Sequence, residues 1–86
     1  MSDEEIIKIL KAIANENRFA ILKCLHKDKE LSVGDLAEAN NLPFRNVSRD
    51  LFILRKANLV KSRNHYSERL YSIKEQNFPK DLLSIF

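Results

Sequence analysis

Glycine occurs once in this sequence, at Gly34, and cysteine once, at Cys24. A single glycine rules out a glycine-rich loop that could cradle a phosphate, and a single cysteine rules out an internal disulfide or a multi-thiolate metal site. Histidine is equally scarce. His26 and His65 lie in separate segments, and Cys24 and His26, two residues apart, point to different sides of a helix. No metal ligand set is therefore assigned. No apolar run approaches the roughly 18 residues that a membrane-crossing helix needs. The opening Met1-Ser2-Asp3-Glu4-Glu5 is acidic where a secretion signal would be basic. These absences point to a cytoplasmic protein, in keeping with the isolated thiol. At 86 residues the chain has room for one compact domain, 1–86, and none for a second, catalytic one.

Charge is present but unevenly placed. The net charge is +3, yet residues 1–40 carry eight acids against six bases, and the stretch Phe44–Lys74 carries eight bases against two acids, a local net of +6. A cationic stretch of this kind suits a polyanionic partner, although a solvated face gives the same pattern.

The apolar spacing predicts helices. Ser2 and Glu5 form a capping box at the start of a first helix over Asp3–Ala14, whose Ile6, Ile9 and Ile13 lie on one side and Ile7, Leu10 and Ala14 on another. So broad an apolar surface calls for two partners. Asn17 is the expected cap of a second helix, Arg18–His26, followed by a polar loop over residues 27–30. Ser32 caps a third over Val33–Ala39, closed by Asn40-Asn41, and Pro43 suits the first turn of a fourth, with Val47, Leu51 and Leu54 as its buried stripe. The period then changes. Leu59–Arg63 and Arg69–Ile73 read as two strands joined by a turn over Asn64–Glu68, and residues 77–86 read as a short apolar last helix.

Two helices around a tight turn, followed by a basic hairpin, follow the order of a winged helix-turn-helix: mainly α, about five helices with a two-stranded wing. The sequence also resembles a family. Leu10-Lys11-Ala12-Ile13-Ala14-Asn15 leading to Arg18 and Ile21-Leu22 is similar to the opening signature of the ArsR regulators. Glu30–Glu38 resembles their third helix, and Val47–Leu51 with Leu54–Val60 resembles their recognition helix and its exit. The likeness runs from Leu10 to Ile73. It implies a sequence-specific DNA-binding transcriptional regulator, a repressor acting as a homodimer on an inverted repeat. Metal-sensing members carry Cys-Val-Cys-Asp-Leu where this chain has Ser32-Val33-Gly34-Asp35-Leu36, so the resemblance implies a member without metal or other cofactor.

The resemblance also assigns residues. Arg45, Asn46, Ser48 and Arg49 of the fourth helix face the major groove, where arginine pairs with guanine and asparagine with adenine. Phe44 joins them either as a contact to a thymine methyl or as packing at the helix start, and packing is the reading for both Phe44 and Phe52. In the wing, Lys61, Arg63 and Arg69 are expected on one side of the hairpin, with Asn64, His65 and Tyr66 at its tip, for phosphate and minor-groove contact. Residues 1–14 and 77–86 are the expected dimerisation helices, through Ile6, Ile9, Ile13, Leu82, Leu83 and Phe86. Cys24 is expected to be a buried, inert thiol and Tyr71 a core aromatic. The partners are thus double-stranded DNA and a second copy, with no membrane; an effector is not legible. A winged helix used for protein or RNA contacts is the alternative, because the fold hosts those functions too.

Overall fold

The computed structural model describes all 86 residues. Helix α1 spans Asp3–Ile13, α2 Glu16–Asp28, α3 Val33–Asn40 and α4 Phe44–Lys56. Strands β1 (Leu31–Ser32), β2 (Val60–His65) and β3 (Glu68–Ile73) form one antiparallel sheet in the order β1-β3-β2. The fold is a winged helix-turn-helix with four α-helices and a three-stranded sheet, in place of the expected five helices and two strands. None of the helices is long and apolar enough to cross a membrane.

Each departure from expectation has a physical cause. The backbone breaks for only Ala14 and Asn15, and the Asn15 side chain accepts the Arg18 N–H at 3.0 Å, so α2 begins earlier than a cap at Asn17 would place it. It also runs on to Asp28, and Lys29 closes it at φ 71°, which turns the expected polar loop into a last helical turn. Strand β1 is only two residues long, too short to show alternation, and it exists because Leu31 and Ser32 pair with Tyr71 and Leu70. The wing turn contracts to Tyr66-Ser67, with Tyr66 at φ 57° and His65 paired to Glu68.

The C-terminal segment is not an α-helix. Pro79 cannot donate a backbone hydrogen bond and Asp81 adopts φ 67°, which leaves two single 3₁₀ turns, Glu75–Asn77 and Leu82–Ile85. This segment folds back onto its own domain. Phe86 packs on Phe19 with ring centroids 4.9 Å apart and on Phe78 at 6.4 Å. Leu82, Leu83 and Phe86 are half-buried against the core, so much of the surface assigned to a dimer contact is used within the protomer.

Caps fix the other junctions. Ser32 Oγ accepts the Asp35 N–H at 3.1 Å while the Asp35 carboxylate accepts the Ser32 N–H at 3.3 Å, a complete capping box. At α1 only half of that arrangement forms: Ser2 Oγ accepts the Glu5 N–H, and its hydroxyl donates to the Glu5 carboxylate. Asn41 takes left-handed geometry (φ 52°, ψ 47°) and ends α3, so α4 starts three residues later behind Pro43. The core joins Ile9 and Ile13 of α1, Ile21, Leu22 and Leu25 of α2, Leu36 of α3, and Val47, Leu51 and Leu54 of α4 to Leu59, Val60 and Tyr71 of the sheet region. Each such side chain, fully buried, contributes on the order of 1.5–3 kcal/mol relative to exposure.

Candidate nucleic-acid interface

The buried stripe of α4 dictates what the helix offers to solvent. With Val47, Leu51 and Leu54 inward, Arg45, Ser48 and Arg49 are exposed and Asn46 is half-buried, all in the N-terminal half that follows the turn. Arg45 and Arg49 make no ion pair within the protomer. Their guanidinium groups are free to meet an acceptor outside it. Phe44 and Phe52 are 61% and 60% exposed, so the packing assigned to them is not found. Phe44 instead stands at the rim of a depression of about 310 Å³ that it shares with Val33 and Gly34 at the start of α3 and with Arg69 of the wing.

That shared depression separates the wing's cations by face. Pairing places Lys61, Arg63 and His65 opposite Ser72, Leu70 and Glu68, and Ser62 and Asn64 opposite Tyr71 and Arg69. Residues directly opposite share a face and successive residues alternate, so Arg69 lies on the other face from Lys61 and Arg63. The single basic side expected of the hairpin is therefore two. Arg69 and Asn64 occupy the face toward α3 and α4, where Arg69 also donates to Ser62 Oγ at 3.0 Å. At the tip, Tyr66 is 95% exposed and the His65 ring meets it edge-on at 4.7 Å.

Arg63 has a partner that the sequence did not reveal. Its Nε and Nη2 donate to the two carboxylate oxygens of Glu30 at 2.7 and 2.8 Å, a two-pronged ion pair across the outer face of the sheet. The Arg63 hydrogen bond, with the charges of Arg63, His65 and Lys61, holds the Glu30 carboxyl below the usual carboxylate range, and Glu30 in turn raises Arg63. The pair therefore persists through neutral pH. It dissolves only as pH falls past the depressed value, where Glu30 takes up a proton.

A second ion pair anchors α4 from behind. Asp50 on the buried side of α4 meets Arg18 of α2 at 3.3 Å, and Arg18 also donates from Nε to the Ala12 carbonyl at 2.6 Å and from Nη2 to the Lys11 carbonyl at 3.4 Å. One guanidinium thus joins the end of α1, the start of α2 and the middle of α4. Read by type, Asp50 was only one of two acids in a basic stretch; its spacing, three residues after Val47 and four before Leu54 and so on the apolar stripe, was the available signal.

Of the other assigned residues, Ile9 and Ile13 are buried in the protomer's own core and Ile6 is half-buried. The large apolar side chains that α1 and the C-terminal segment leave outside are Ile7, Leu10 and Ile85, at 51%, 47% and 51% exposure. Cys24 is half-buried, its Sγ near the Asn40 side chain, and Tyr71 is a core residue.

A family model described as a helix-turn-helix domain matches residues 13–63, from the end of α1 into the wing. The homodimeric winged helix-turn-helix DNA-binding domain of a possible ArsR-family regulator from Mycobacterium bovis superimposes with a TM-score of 0.80 at 25% identity, over 99% of this chain and 80% of that one. This chain belongs to the ArsR-type helix-turn-helix transcriptional regulators. Among its relatives is the uncharacterized regulator YceK of Bacillus subtilis, 34% identical over 79 residues, which are 90% of this regulator and 79% of YceK. Another is the transcriptional activator HlyU of Vibrio cholerae, 39% identical over 67 residues, 78% of this regulator and 61% of HlyU. The structure of reduced HlyU matches with a TM-score of 0.83 over 95% of this regulator and 84% of that chain.

Proposed function

We propose that this regulator binds double-stranded DNA in the cytoplasm as a two-fold homodimer, with the N-terminal half of α4 in the major groove and the wing beside the adjacent backbone. The observation that carries this reading is the placement of Arg45 and Arg49, exposed and without partners, on the helix that follows the tight turn. Asn46 and Ser48 supply hydrogen-bonding groups beside them, and Phe44 is open to a thymine methyl. In the wing, Arg69 and Asn64 face the same side as Phe44, with His65 and Tyr66 at the tip. Lys61 adds charge on the outer face. A two-fold dimer sets its recognition helices about 34 Å apart, on an inverted repeat, and represses where that repeat overlaps a promoter. Nothing in this reading requires catalysis or a cofactor.

A gel shift across a salt series tests it. If about eight phosphates are neutralised per dimer, log affinity falls against log salt with a slope near −7. Salt-independent binding, or displacement by unlabelled RNA as effective as by duplex DNA, favours the protein- or RNA-contact alternative instead.

The Arg63–Glu30 pair changes what each partner contributes. Held by Glu30, Arg63 adds no net charge to the wing, and reaching a phosphate requires it to leave the carboxylate. Glu30→Gln is therefore expected to raise DNA affinity about three- to tenfold at low salt and to steepen the salt slope by about 0.9, the release expected for one added phosphate contact. Arg63→Ala should cancel the gain in the Glu30→Gln background and restore the wild-type salt slope; in the wild type it uncovers the Glu30 carboxylate and lowers affinity, but removes no phosphate contact and leaves the slope unchanged. A salt slope flattened by about 0.9 in both backgrounds would show that Arg63 already contacts DNA.

The dimer reading is supported by the homodimeric relative and by the exposed Ile7, Leu10 and Ile85. Leu10→Asp is expected to give monomers in sedimentation while leaving thermal unfolding of the protomer cooperative. A stable interface buries about 800 Å² per partner, so a wild-type protein that is monomeric at ~100 μM defeats the reading.

A further inference from the structure

Between α1 and the C-terminal half of α4 lies a cleft of about 290 Å³ that the DNA-binding reading leaves unused. Its apolar surface comes from Ala12, Ile53, Ala57 and the ring of Phe52. Four cations, Lys8, Lys11, Lys56 and Arg18, line it and no acid does. Of these only Arg18 has an ion-pair partner, and the Lys56 ammonium stands 5.9 Å from the Phe52 ring centroid. Apolar walls edged by three lysines without an ion-pair partner fit a ligand with a flat apolar body and one negative charge.

We propose that this cleft binds a small aromatic carboxylate, its ring on the apolar surface beside Phe52 and its carboxylate among the lysines. The volume lies at the lower limit of small-molecule sites, which sets the ligand at one or two rings. The exposed Phe52 then has a role that neither the core nor the DNA-facing half of α4 gives it. Along α1, Lys8 and Ala12 border the buried Ile9 and Ile13 on the side away from the exposed Leu10, while Lys11 lies one turn from the exposed Ile7, at the edge of the surface offered to a second copy. An occupant bridges α1 and α4, the same two elements that Arg18 already ties together.

The probe is 2-naphthoate, followed by its own fluorescence anisotropy with the full-length protein, and compared with the uncharged 2-naphthylmethanol. One saturable site per protomer is expected, with a Kd below about 1 mM and at least tenfold weaker binding of the alcohol. Phe52→Ala and a Lys11→Gln/Lys56→Gln double variant, all at exposed positions, should each weaken naphthoate at least fivefold, and Tyr66→Ala in the wing should not. Methyl resonances of Ala12 and Ala57 should shift on titration. Equal affinity for acid and alcohol, no saturation by 5 mM, or Phe52→Ala binding as wild type overturns the proposal. None of these outcomes depends on DNA being present, so failure here leaves the DNA reading standing.

Discussion

Replacing Arg45 and Arg49 together by alanine is expected to lower affinity for a specific duplex by roughly a hundred- to a thousandfold, with little change in folding. A well-placed bidentate contact between arginine and guanine discriminates by about 1–3 kcal/mol, and each 1.4 kcal/mol is a factor of ten. The dimer loses four such contacts, so about 1 kcal/mol from each already reaches the upper end of that range, before any non-additivity. Stability should hold because both side chains are exposed and neither is paired within the protomer. The distribution of the loss is as informative as its size. Binding to random sequence should fall less than binding to a selected site, because phosphate contacts from the wing survive, and Arg49→Ala alone should relax preference at one base pair in each half-site. A double variant that binds as tightly as the wild type places the wrong surface on the duplex.

The helices that set up this surface were readable because their signals are local. The stripe of Val47, Leu51 and Leu54, the cap at Ser32 and the left-handed Asn41 each act within a few residues, and each is found where periodicity and turn chemistry put it. What escaped depends on pairing across the chain. Strand β1 is created by its register with β3, and only that register brings Glu30 to Arg63, 33 residues away. The same holds for the wing's faces. Without knowing that the turn is Tyr66-Ser67, the register of β2 against β3 is unset, and a slip of one residue moves every side chain to the other face. The C-terminal segment failed for a different reason: its apolar residues were legible, but after Phe78 the chain is interrupted by Pro79 and by Asp81 at φ 67°, and a short 3₁₀ turn is what the remaining stretch can form.

Arg18→Ala is expected to destabilise the domain by about 3–5 kcal/mol, the usual cost of removing one partner from a buried ion pair. The physical cause is what remains behind. Asp50, 5% exposed, keeps its carboxylate in a site walled by core residues, and the carbonyls of Ala12 and Lys11 lose their donor as well. For a domain of this size each kcal/mol lowers the melting temperature by about 4–8 °C, so a fall of more than 12 °C should be measurable in a thermal scan, with the same ranking in urea. Asp50→Ala should cost less, because Arg18 is 15% exposed by side chain and keeps both carbonyl contacts. The double variant Arg18→Met/Asp50→Leu separates charge from packing: with neither charge buried it should recover part of the loss, since apolar replacements of buried pairs are often neutral or stabilising. Functionally the three proteins should follow stability, since neither side chain faces the groove side of α4. Arg18→Ala within 1 kcal/mol of wild type would mean that the junction of α1, α2 and α4 is held by the apolar core alone, with the guanidinium merely resting on it.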